Sequence, residues 1–199
     1  MELPHWHYFM SLEDEIVKIS KFIEINEDNY GVYSIELTKL FLSVCSEVDV
    51  VAKLLCKESD TDLFERTRNN RNATIEIYRT VIKAKFPQFH AANVKIPFYN
   101  LSFTPWEAFR DNTAPEWWRQ YNGLKHERNL NFKNANLENI LLSMSGLMVL
   151  LVYLYGRQSA ISLDPPYDPK LYEIEERYYR YQGTRWGASQ LGVPKDLIN

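Results

Sequence analysis

Arg119 and His126 are the two side chains in this sequence whose types and spacing best suit chemistry. An arginine holds an anion through a planar fork of donors, and a histidine exchanges protons near neutral pH. They lie in the stretch WWRQYNGLKHERNLNF, residues 117–132. If this stretch is helical, each residue turns about 100°. Counted around the helix at that rate, Tyr121 and Leu124 return to the side of Trp117, which makes one apolar face. His126 and Arg119 fall almost in line on the opposite face, flanked by Asn122 on one side and Gly123 on the other. Long side chains so placed can converge on one small anion. Gly123 costs a helix about 1 kcal/mol against alanine, a cost that fits the close approach of another backbone or a ligand.

Charge is distributed unevenly around this stretch. The whole chain of 199 residues has a formal net charge of −3, but residues 1–65 carry net −9, residues 66–133 net +7 and residues 134–199 net −1. Arg66, Arg68, Arg71, Lys125 and Arg128 belong to the basic middle. Such a middle in an acidic protein suits an anion-binding face. On charge alone, acidic and basic helices pairing within the fold, or across a dimer, are the preferred account.

These side chains need elements to position them, and the apolar pattern is helical over most of the chain. Ser11-Leu12-Glu13-Asp14 reads as a helix start, with Leu12, Ile16, Ile19 and Ile23 following at helical spacing. Residues 1–10 read as an irregular aromatic arm. A second helix is predicted over about 32–57, with the stripe Leu37, Phe41, Val44, Val48, Val51 and Leu55. A third region spans about 62–86, stopped by Pro87. Residues 87–115 hold four prolines and read as an irregular insertion, with a short hairpin or extended arm in NVKIPFYNLSFTPW. A fourth helix follows Pro115, a break falls near 129–134, and a last core helix runs from about Leu137 to Tyr155. The tail from Ser159 is polar and aromatic, with a helix predicted in LYEIEERYYRYQ. The predicted domains are therefore a helical domain over 1–156, including the insertion, and a C-terminal extension over 157–199.

Other signals are weaker. Cys45 and Cys56, on one helix, would lie about 16 Å apart, too far for a disulfide, so both read as buried reduced thiols. The HWH at 5–7 lacks a nearby third metal ligand and reads as surface arm. His90 reads as a hydrogen-bonded loop anchor. Trp106, Trp117 and Trp118 read as core rather than as base-stacking platforms. No metal site and no cofactor is expected. The start of the chain has no basic, apolar leader, and the most apolar run, 140–155, reads as core; both predict a cytoplasmic protein without a membrane span.

The stretch RQYNGLKH places six residues between Arg119 and His126, just ahead of the last core helix. Over about 115–155 it resembles the HEPN superfamily, compact all-helical domains marked by an arginine, four to six residues and a histidine. The Trp pair, Tyr-Asn and Leu-Lys-His are similar to one bacterial group of that superfamily. The resemblance implies an all-α, four- to five-helix bundle that forms a homodimer. It implies a metal-independent endoribonuclease, acting through a composite site between two copies, in stress response or phage defence. Arg119 would hold the scissile phosphate, and His126 would move a proton at the ribose 2′-OH or the leaving 5′-oxygen. Asn122 would orient either group. Glu47 or Asp49 would set the histidine tautomer, and Lys125, Arg128, Arg66, Arg68 and Arg71 would guide the RNA backbone. Two alternatives remain open at this point: a non-catalytic dimerisation or partner-binding module using Trp118 and Tyr121, and a nucleotide- or anion-binding protein.

Overall fold

The computed structural model describes residues 3–163, 167–181 and 189–199. The stretches 164–166 and 182–188, both part of the polar aromatic tail, lie outside the described residues. Seven α-helices are described: α1 (Pro4–Ile19), α2 (Ile35–Ser59), α3 (Thr61–Arg68), α4 (Ile75–Lys85), α5 (Glu116–His126), α6 (Arg128–Asn131) and α7 (Leu137–Gly156). Six short strands accompany them: β1 (Val94–Ile96), β2 (Leu101–Phe103), β3 (Ile161–Leu163), β4 (Glu173–Ile174), β5 (Tyr179–Tyr181) and β6 (Ser189–Leu191). They form two antiparallel sheets, ordered β2-β1-β4 and β3-β6-β5.

The expectation of an all-α bundle is thus incorrect, and the fold is mixed α and β. Each strand is only two or three residues long, too short to set a period-two pattern against the helical background. The pairing is also distant in sequence. Lys95 of β1 faces Ser102 of β2 on one side and Glu173 of β4 on the other. The hairpin lies where the insertion was read as a hairpin or arm. Over residues 171–181, the described part of the helix predicted in LYEIEERYYRYQ, the chain forms β4, a single 3-10 turn and β5 instead.

The core is built on α2 and α7, which pack along each other, with α1, α4 and α5 against them. Ser34 caps α2 by accepting from the Leu37 N–H at 3.1 Å, and Asn136 caps α7 through the Asn139 N–H at 3.0 Å. α7 is long and apolar enough to cross a membrane by composition, yet most of it is buried inside the fold. Cys45 and Cys56 are free and buried within α2, and burial pushes both thiols up from their ordinary value.

Two helix boundaries depart from expectation. α1 begins at Pro4, in its first turn, and buries Trp6, Phe9, Leu12, Glu13 and Ile16. Residues 5–7 are therefore the start of a helix, not an arm. The third helical region divides into α3 and α4, because Asn69 (φ 47°) and Asn70 (φ 60°) are left-handed, a conformation asparagine tolerates and most residues do not. The predicted indole packing takes a specific form. Trp106 Nε1 donates to the Gly146 carbonyl at 3.0 Å, Trp117 Nε1 donates to the Pro105 carbonyl at 2.9 Å, and the two rings meet edge-on at 5.2 Å.

Candidate functional site

α5 forms as the residue types dictate. Pro115 precedes it, Glu116 sits in its first turn, and Lys125 and His126 sit in its last, where they oppose the helix dipole. Trp117, Trp118, Tyr121 and Leu124 are buried. Trp118 widens the buried stripe beyond the face expected from Trp117, Tyr121 and Leu124. Trp118 and Tyr121 are both core residues, each only 5% exposed. Tyr121 packs edge-on against Phe41 of α2 at 6.2 Å. Burial, reinforced by Cys45 and Asp49, pushes its hydroxyl up to about 12, so it stays a neutral phenol.

Arg119 and His126 both stand on the outer side of α5. The Arg119 side chain is 62% exposed and is paired with Glu116, one turn earlier. His126 is exposed and makes no hydrogen bond or ion pair among the described residues. The two are brought onto one face, and neither lines the recess formed by the neighbouring side chains of α5. Gly123 permits a close approach, and the approaching group is intrachain: a Cβ there would lie 3.4 Å from the Asn131 side chain, whose Nδ2 donates to the Gly123 carbonyl at 3.2 Å. Asn131 thereby ties α6 back to α5.

Asn122 and Lys125 face another way. They line a recess of about 340 Å³ together with Asp49, Thr74, Glu76 and Trp118. Asp49 accepts from the Tyr78 hydroxyl at 3.1 Å. Glu47 is committed elsewhere, its Oε1 lying 2.5 Å from His5 Nδ1. Neither carboxylate contacts His126. The expectation that one of them orients the imidazole finds no support in a single copy.

The basic residues are spread along the surface. Lys125 lies over the Tyr121 ring at 5.6 Å, and Arg128 lies over the Phe132 ring at 5.9 Å. Arg68 pairs with Glu65 at 2.6 Å. Arg66 Nε donates to the Asp62 carbonyl at 3.4 Å and Arg71 Nε to the Arg68 carbonyl at 3.3 Å. Arg71 shortly precedes the segment that lines the recess. No group of three or more His, Cys, Asp or Glu side chains suited to a metal ion occurs among the described residues. His7 stacks on Tyr167 at 5.0 Å, and His90 Nδ1 lies 3.0 Å from the Pro87 carbonyl.

Two relationships at this site were not named from the sequence. Glu116 as the partner of Arg119 was legible, since an acid three residues before a base on one helix is a known pairing. The roles of Thr74 and Glu76 in the recess were not, because they depend on how α4 meets α5. Comparisons with family models, with curated proteins and with solved structures found no match for this chain.

Proposed function

We propose that the α5–α6 face binds RNA and that Arg119 and His126 cleave its backbone without a metal ion, two copies of the chain together completing the site. The observation that carries this reading is that both side chains project from the same exposed side of α5, with His126 unpartnered among the described residues. In this scheme one His126 removes the 2′-OH proton. The 2′-oxygen attacks phosphorus, the P–O5′ bond breaks, and the His126 of the second copy gives a proton to the departing 5′-oxygen. Arg119 exchanges Glu116 for the phosphate and offsets the charge that grows on its non-bridging oxygens. The products are a 2′,3′-cyclic phosphate and a 5′-hydroxyl. Lys125 holds a flanking phosphate. The motif's resemblance extends the proposal to a stress or phage-defence role. Cleavage of RNA in EDTA by the wild type and by His126→Ala is the test.

One observation favours a second reading. Arg119 is already paired with Glu116, and no acid among the described residues pairs with His126. The same surface would then serve as a non-catalytic binding module. That reading predicts RNA binding without cleavage in the same assay.

A further inference from the structure

The last turns of α1 and the first turns of α2 leave an open groove of about 450 Å³. Leu12, Ile19, Ile23, Leu37 and Leu40 form its walls. Its lip carries two acid–lysine pairs, Glu15 with Lys18 at 2.6 Å and Glu36 with Lys39 at 2.7 Å, so the lip is charge-balanced. At the groove stands Phe22, 88% exposed, in a turn held by its N–H donating to the Ile19 carbonyl at 2.9 Å. Ile35 and Tyr33, at the start of α2, are exposed as well.

Unpaired charge of both signs extends from this apolar ground. Glu24, Glu27 and Asp28 follow Phe22, are exposed and have no ion-pair partner among the described residues. On the other side, the Tyr33 ring meets Phe132 edge-on at 5.7 Å, and Arg128 lies over Phe132. Arg128 and Lys133 are exposed cations, also without an ion-pair partner among the described residues.

We infer that this face docks a second copy of the chain about a two-fold axis, each Phe22 entering the partner's groove and each acidic loop meeting the partner's α6 end. In such a contact one surface must supply both halves of every match. Here one surface holds an apolar knob, an apolar hole, an acidic patch and a basic patch. A foreign helix would fill the groove but leave Phe22 and both charged patches unmatched. An anionic membrane would be repelled by Glu24, Glu27 and Asp28. The inference does not depend on RNA cleavage, since its readout is mass alone.

The test is sedimentation of the full chain at micromolar concentration. The wild type is expected at the mass of two 23.5 kDa chains. Phe22→Asp, at a position too exposed to support the core, is expected to weaken the dimer about a hundred-fold or more and leave the circular dichroism unchanged. A Glu27→Lys/Asp28→Lys variant and an Arg128→Glu/Lys133→Glu variant are each expected to be monomeric. Mixing the two restores the dimer, because both contacts of the mixed pair again join opposite charges. A monomeric wild type overturns the inference and leaves the groove to a foreign partner. A dimer indifferent to Phe22→Asp, or variants that do not re-associate on mixing, overturns it too.

Discussion

The His5 imidazole stands against the Glu47 carboxylate, Nδ1 to Oε1 2.5 Å, and this pair ties the first turn of α1 to the middle of α2. Both side chains are largely covered. Glu47→Gln weakens the bond without opening a cavity, so urea denaturation should show a loss of about 1–2 kcal/mol. RNA cleavage, measured on the same folded variant, should be unchanged, because Glu47 is spent on His5. A fall in cleavage larger than the fall in folded fraction would restore Glu47 to the site.

Glu13 sets a second prediction. It is a fully buried carboxylate on α1, and it accepts from the Lys170 and Leu171 N–H groups at 2.8 Å and from the Tyr172 N–H at 3.2 Å. Burial raises its pKa above the ordinary 4.5, against the pull of those three donors. The folded chain therefore holds this proton more tightly than the unfolded chain. The contribution to stability is greatest below 4.5 and is lost as pH rises through the raised value. Glu13→Gln loses at least one acceptor and should cost about 1–3 kcal/mol. Its urea midpoint should also lack the decline that begins at 4.5 and continues as pH rises.

Gly146 gives a test of packing. In an exposed helix, glycine to alanine gains up to about 1 kcal/mol. In α7, however, a Cβ on Gly146 would lie 3.1 Å from Trp117 Cζ2 and 3.5 Å from Trp106, while the Gly146 carbonyl receives the Trp106 indole N–H. Overpacking of this kind costs about 1–3 kcal/mol. Gly146→Ala should therefore lower the melting temperature, with blue-shifted or broadened tryptophan emission reporting the displaced rings.

The long helices were legible because their apolar stripes persist for many turns, as Leu37 through Leu55 do in α2. The start of α1 was placed too late: the pattern of Trp6, Phe9 and Leu12 is helical, but the aromatic start masked it. The strands were hidden for a different reason. Val94 finds Phe103 nearby, yet it also pairs with Ile174, and no local pattern announces a partner so distant. At the site, a turn of about 100° per residue placed Arg119 and His126 on one side correctly, since that is set within a single helix. Whether Glu47 or Asp49 reached His126 depended on how α2 crosses α5 and on competing partners. His5 and Tyr78 supplied those partners, and their claims are tertiary.

The proposed chemistry is tested most directly by the rate at which a defined single-stranded RNA is cut in EDTA. The wild type should release fragments ending in a 2′,3′-cyclic phosphate. His126→Ala should be slower by about 10²–10⁴-fold, and Arg119→Ala by about 10²–10³-fold. His126 is exposed and unpartnered among the described residues, so its removal leaves the fold intact and the comparison clean. A wild type that cuts no RNA, or a His126→Ala variant that cuts as fast as the wild type, would contradict the assignment.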